Sequence, residues 1–321
     1  MHVLSFDLED WFHLLQWAPA ESEESWNGFE SRFERATDLI LERLERHQAT
    51  ATFFCLGWIA RRYPHVLRHI DACGHDFGSH GHAHRLLRDL PPPRFEADLS
   101  DSLHAIQDAI GRPVRAYRAP GFSLTPRTTW ALEILLDHGV EVDSSVFTSR
   151  RAHGGWPGGP TAPGWLRWSG GRIRELPIVP AAWAGLRVPF NGGGYFRLLP
   201  YEVSRRLMRR EPYVMTYFHP RDFDPEQPRM PRLGPVRRFR AYVGLGGAMR
   251  KLERLLEEFE FVNVSTALER VEWTEAPVLD VERPAVTVDV MPAADAAGAA
   301  AAGKAGAAGA TDRAAGVGRE R

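Results

Sequence analysis

Three histidines at alternate positions, His80, His82 and His84, stand in the run Gly78-Ser79-His80-Gly81-His82-Ala83-His84. The outer two are four residues apart, so one helical turn would stack both imidazoles on one face. Two neutral ring nitrogens at that spacing suit a divalent metal. His82, half a turn off, faces away from such an ion. The acidic run Phe6-Asp7-Leu8-Glu9-Asp10 offers a third ligand and a base. A metal held by one carboxylate and two imidazoles leaves open positions for water and a substrate carbonyl oxygen.

These groups are far apart in sequence, so a repeating scaffold must bring them together. Apolar runs read as strands at Val3–Phe6, Ala49–Leu56, Asp76–Ser79, Val114–Tyr117, Val140–Asp143, Tyr213–Phe218 and Phe261–Ser265. Helical periodicity fills the gaps at Phe29–His47, Pro64–Ala72, Phe95–Ile110 (closed by Gly111), Pro126–His138, Tyr201–Arg210 and Ala248–Phe259. Strand–helix recurrence means parallel pairing with helical crossovers, hence an α/β barrel or doubly wound sheet.

Residues 1–273 read as one catalytic domain, with a Gly/Pro/Trp-rich insertion at about 151–200. Within it, Arg172–Ile178 and Leu186–Phe190 are short strands, and Asn191-Gly192-Gly193-Gly194-Tyr195-Phe196 is too glycine-dense for a regular element. Residues 274–321 read as a disordered tail, because their Ala/Gly-rich part cannot bury a core. A net charge of -1, from 40 basic and 41 acidic residues, argues against nucleic-acid partners or a polybasic membrane patch. No run is long enough for a membrane span. The 2 cysteines, Cys55 and Cys73, read as buried free thiols of a reducing compartment. With no signal-like start, the expected location is the cytoplasm.

In α/β barrels the catalytic groups sit where strands end and loops begin. Asp7, His80 with His84, Arg118, Asp143 and His219 each follow an apolar strand candidate. At these residues the chain resembles the polysaccharide deacetylases of the NodB-homology type, carbohydrate esterase family four. Asp7 through Asp10 stands at the paired-aspartate motif, and His80-Gly81-His82-Ala83-His84 matches His-x-x-x-His. Arg118-Ala119-Pro120-Gly121, the Asp143 strand end and Phe218-His219-Pro220 match three further motifs. Ala49-Thr50-Ala51-Thr52-Phe53-Phe54 is similar to the family's second strand. Gly193-Gly194-Tyr195-Phe196-Arg197-Leu198-Leu199-Pro200 and His219-Pro220-Arg221-Asp222-Phe223-Asp224-Pro225 resemble the exosortase- and exopolysaccharide-associated subgroup.

The resemblance implies a distorted (β/α) barrel and a metal-dependent hydrolase, with zinc as the divalent ion. The implied reaction removes N-acetyl groups from amino-sugar units of a polysaccharide or its precursor. The implied metal ligands are His80, His84 and Asp10, with Glu9 the alternative, because Leu8 and Glu9 separate the two aspartates. Asp7 is the implied base, oriented by Arg118. His219 is the implied acid, paired with Asp143. Trp11, Trp58, Trp183 and Tyr195 could stack on sugar faces. Two other readings stay open: an amidohydrolase acting on a small non-sugar amide, and an inactive sugar-binding module. Oligomeric state is not legible.

Overall fold

The computed structural model describes residues 1–282, apart from 16, 18–21 and 184. The chain begins with an almost continuous extended run, β1 (His2–Val3) and β2 (Ser5–Leu8). There follow β3 (Thr52–Cys55), β4 (Asp76–Ser79), β5 (Ala116–Tyr117) and β6 (Val142–Asp143). Next come β7 (Gly164–Trp168), β8 (Gly171–Glu175), β9 (Ala181–Trp183) and β10 (Leu186–Val188). β11 (Val214–Met215), β12 (Phe261–Val262) and β13 (Val278–Asp280) complete the set. The main sheet runs β13-β7-β8-β6-β5-β4-β3-β2, and β1 lies between β11 and β12. From β2 through β6 to β8 every pairing is parallel.

Isolated parallel bridges, Phe6 with Phe218 and Gly192 with Tyr217, draw the two ends of this arrangement together. The result is the distorted (β/α) barrel the sequence implied. The parallel strands β2 to β6 are buried on both faces almost throughout. Phe53 packs in the outer cluster with Phe6, while Phe54, one residue on, joins the inner cluster with Val3, Val142 and Met215. Period-two alternation of apolar side chains on both faces is what continuous strand hydrophobicity encodes.

Helices at Pro64–Ala72 and Tyr201–Arg210 have the expected bounds. The helix Pro92–Ile110 ends on Gly111 at φ 73°, a left-handed stop that glycine adopts without strain. Other expectations change. The 151–200 segment is partly integral to the sheet, since β8 pairs with both β6 and β7. Gly193–Leu198 forms a short helix instead of irregular loop. Gly192 before it is required by contact: a Cβ there would lie 2.4 Å from the Tyr217 carbonyl oxygen. Cys55 is a buried free thiol, but Cys73 is exposed. Among the described residues, no helix is long and apolar enough to cross a membrane.

The expected tail falls largely on 283–321, which lies outside the described residues. Its expected start at 274 is corrected by β13, which pairs in parallel with β7 across Val278–Trp165, Leu279–Leu166 and Asp280–Arg167. Val281 is buried, and its amide donates to Arg167 O at 2.8 Å. The Ala/Gly bias that marks the end of the chain begins only after this edge strand. A chain ending at Thr274 should therefore melt below one ending at Glu282. Burying one valine contributes about 1.5–3 kcal/mol, so a fall of roughly 4 °C or more is expected in a thermal scan. Equal melting temperatures would show that β13 adds nothing.

Candidate active site

The first barrel strand decides the acidic cluster. Ser5, Asp7 and Glu9 fall on one face by alternation, and Phe6 and Leu8 on the other. Asp7 is buried, and its Oδ1 accepts from Arg118 Nη1 at 2.6 Å. The Arg118 guanidinium is fully buried. It also donates to Ser5 Oγ, Ser144 O and Ser144 Oγ, and lies 4.0 Å from the Phe54 ring centroid. So many fixed partners leave the arginine one orientation, which fixes the carboxylate in turn.

Glu9 Oε1 lies 3.1 Å from His80 Nε2 and 3.0 Å from His84 Nε2. These three donor atoms are within 4.8 Å of one another, close enough for a single small ion to reach all three. Burial alone would raise the Glu9 pKa. The charge of His84 and hydrogen bonds from both histidines outweigh it and hold the pKa well below the usual carboxylate range. His80 Nδ1–H donates to Arg118 O at 2.7 Å, so Nε2 is the ring nitrogen turned toward the cluster, free to bind an ion once its proton leaves. One carboxylate and two imidazole nitrogens, with a tautomer already set, form a donor set that fits zinc or a similar divalent ion.

The histidine motif is not a helical turn. His80 follows β4, and the chain turns at Gly81, with φ 73°. A Cβ at Gly81 would meet Asp98 Oδ2 at 2.9 Å, so space as well as conformation calls for glycine. Asp98 accepts from the His82 and Ala83 amides at 2.8 and 3.1 Å, fastening the loop. His84 itself has φ 52°, a left-handed conformation costly for a residue with a side chain. The loop thus brings the two imidazoles to 5.3 Å between ring centroids without any helix. His82 turns away, its Nε2 being 3.5 Å from Glu23.

His219 enters from the opposite side, after β11, its Nε2 3.8 Å from Asp7 Oδ2. Its Nδ1 donates to Asp222 Oδ2 at 3.0 Å. Asp222 is in turn ion-paired with Arg197 at 2.9 Å. Arg197 is anchored by donating to the carbonyls of Arg240, Ala241 and Val243. Burial works against the His219 imidazolium, but the hydrogen bond and charge of Asp222, then Glu9 and Asp7, bring its pKa up to about 9. Burial would likewise raise Asp222, yet Arg197 and His219 bring it down to about 2. An ionised carboxylate bound by a guanidinium on one side and an imidazole on the other fixes the ring's tautomer and direction.

Residues 24–142 match the sequence model of the family described as polysaccharide deacetylase. Residues 144–269 match a domain described as of unknown function, DUF3473. A chitooligosaccharide deacetylase of Azorhizobium caulinodans is 35% identical over 85 residues, 26% of this chain and 40% of that protein. A peptidoglycan-N-acetylglucosamine deacetylase of Bacillus cereus is 29% identical over 98 residues, 30% of this chain and 36% of that protein. The alignments thus span about two fifths of these curated relatives. A solved structure from Mycobacterium smegmatis, assigned to the polysaccharide deacetylases, superposes with a TM-score of 0.59 at 17% identity. It covers 89% of this chain and 94% of that one, a likeness of fold.

The structure brings together Asp7, His80, His84, Arg118 and His219. Two sequence expectations change. Asp10 faces away from the histidines, because alternation carries Glu9 inward and Asp10 outward. Its carboxylate instead accepts from the amides of Trp11, Arg32 and Phe33 and from Ser31 Oγ. These donors lead into the helix Phe33–Arg46, so Asp10 ties the first loop to a helix N-terminus. Burial raises the Asp10 pKa, and the donors offset part of that. Asp10→Ala should cost about 2–4 kcal/mol by removing the cap and orphaning buried amides. A fall of roughly 5 °C or more in melting temperature checks this; a fall under a degree would refute it.

Asp143 is the second correction. It sits on β6, whose sheet neighbours are β5 and β8, whereas His219 follows β11 beside β1. Asp143 accepts from Ser145 Oγ at 2.5 Å and Ser145 N at 3.1 Å, and Ser145 Oγ accepts the Ala119 amide at 2.7 Å. It therefore braces the loop after Arg118. Burial raises the pKa of Asp143, and still more that of Glu175, its cross-strand neighbour. Sequence reading missed the roles of Asp222, Arg197 and Glu175. The signal for Asp222 was its place three residues after His219, where a turn of Pro220–Phe223 returns its carboxylate to the ring. Trp11 and Trp58 are buried among other aromatics, whereas Trp183 and Tyr195 are exposed.

Proposed function

We propose that this chain is a metal-dependent hydrolase that removes N-acetyl groups from amino-sugar units of a polysaccharide, or of its precursor. The observation that carries this reading is the pairing of Glu9, His80 and His84 around one point with Asp7 and His219 facing each other beside it. A sugar-binding module needs no buried base opposite a protonated imidazole. The relatives that match by sequence are named for deacetylating chitooligosaccharide and peptidoglycan. The glycine-rich and His219 segments quoted above favour an exopolysaccharide as the polymer.

Glu9, His80 and His84 would hold the divalent ion, zinc by donor set. Bound there, such an ion supplies Lewis acidity toward water and the acetamide oxygen. The chain's own residues do the rest. Asp7, fixed through Oδ1 by Arg118, presents Oδ2 to take the proton of the attacking water. Water's oxygen bonds to the carbonyl carbon, and the C–N bond then breaks. His219 Nε2–H delivers a proton to the departing sugar amine, while Asp222 holds Nδ1. Acetate and the free amine are the products.

The test is metal analysis followed by acetate release from a panel of N-acetylhexosamine oligomers and polymers. Metal-dependent acetate release supports the reading. Hydrolysis confined to small non-sugar amides would move the activity to another amidohydrolase class. Sugar binding without any turnover would favour the inactive module.

A further inference from the structure

One guanidinium beside the site differs from its neighbours. Arg118 has Asp7 and Arg197 has Asp222, but no described contact of Arg151 is a carboxylate. Its guanidinium carbon lies 4.4, 5.4 and 5.6 Å from the ring centroids of Phe147, Phe122 and Tyr217. Its Nη1 donates to Tyr217 Oη at 3.3 Å. Tyr217 stands perpendicular to His219, with ring centroids 6.5 Å apart. One aromatic ring therefore separates this cation from the proposed acid.

The loop carrying Arg151 is built into the barrel rim. Its amide donates to Gly154 O, and the Gly155 amide donates to Phe122 O at 2.9 Å. A Cβ at Gly154 would lie 2.0 Å from Phe122 O, so no other residue fits. Gly121 and Phe122 both have positive φ, 61° and 54°, a strained turn three residues beyond Arg118. Two more arginines flank that turn. Arg88 Nη1 donates to His153 O at 3.4 Å, and Arg237 Nη2 donates to Leu15 O at 2.7 Å. Leu15 and His153 both press on Gly121, where a Cβ would lie 2.8 and 3.0 Å from them. Burial lowers the His153 pKa, and the charges of Arg88, Arg237, Arg151 and His84 lower it further. Arg88 has its own carboxylate, Asp89 Oδ1 at 3.6 Å, whereas Arg151 has none among its described contacts.

We propose that Arg151, with Arg88 beside the Gly121 turn, binds a carboxylate or phosphate on the sugar adjoining the one that is deacetylated. The inference rests on the deacetylase reading and specifies its substrate as an acidic glycan. A cation seated on three rings, with no counter-ion among the described residues, gains a charge-assisted, bidentate partner from such a group. A neutral glycan leaves it unpaired.

The test uses the metal-loaded full chain and three matched N-acetylhexosamine oligosaccharides: neutral, uronate-bearing and phosphate-bearing. Acetate release gives kcat/KM, and calorimetry gives binding. An acidic-over-neutral preference of roughly tenfold or more is expected, the worth of one well-paired charge. Whichever acidic arm is preferred identifies the anion. Arg151→Gln should bring that ratio toward one, and Arg88→Gln should reduce it in part. Should Arg151→Gln not fold, Arg88→Gln and raised salt read the same ratio. Equal kcat/KM for neutral and acidic oligomers in the wild type overturns the anion site and leaves deacetylation standing. Arg151-dependent binding of the acidic oligomers without acetate release does the reverse. A preference unchanged in both variants places the anion elsewhere and overturns the assignment.

Discussion

Glu9→Gln is expected to strip the divalent ion and abolish acetate release. The variant keeps the size of the side chain but replaces an anionic oxygen lying 3.0–3.1 Å from both imidazoles with a neutral amide. Two imidazoles alone hold a divalent ion poorly, because the carboxylate supplies both a donor and the only negative charge in the ligand set. The loss in metal affinity should exceed the roughly 10–100-fold typical of residues that merely orient a ligand. Asp10→Asn is the matched control. Its carboxylate serves backbone amides near the helix Phe33–Arg46, so the variant should keep its metal while losing stability. Plasma emission metal analysis of the two purified variants decides the matter. Metal retained in Glu9→Gln and lost in Asp10→Asn would reverse the ligand assignment.

That choice shows where sequence legibility ended. Strand ends, the histidine pair and the residues converging on the rim were visible because strand–helix alternation dictates them. Which acid faced inward depended on whether the first strand kept its alternation through Glu9, and nothing local in Leu8-Glu9-Asp10 states that. The capture of Asp10 by the amides of Arg32 and Phe33 settles it, and those donors lie more than twenty positions away in sequence. Asp143 shows a different limit. A polar residue at a strand end was rightly placed on the rim, but its partner depends on strand order around the barrel. With β6 between β5 and β8, the nearest groups are Ser145 and Glu175. The His80–His84 pair was found by a helical argument although the backbone there is a loop pinned by Asp98. The spacing matched, while the conformation came from Gly81 and the strained His84.

Asp222→Asn is expected to shift the alkaline limb of the kcat/KM profile to lower pH by at least about one unit. The sign follows from the role of His219. As a general acid it works only when protonated, so activity falls as pH rises through its pKa, which stands at about 9. A bound divalent cation repels the imidazolium, so the limb lies at or below that value. Burial already opposes protonation. Asp222, at 3.0 Å, is the chief group offsetting it, and the neutral amide removes that charge. Asp143→Asn should leave the limb in place, because Asp143 bonds to Ser145 on the far side of Arg118. His219→Ala should keep its metal and lose roughly 10²–10⁴ in rate, the contribution of a positioned acid. The residual rate should then show no alkaline limb. A limb that moves in Asp143→Asn and stays fixed in Asp222→Asn would return the pairing to Asp143. Wild-type turnover in His219→Ala would make the imidazole structural and leave the amine to take its proton from solvent.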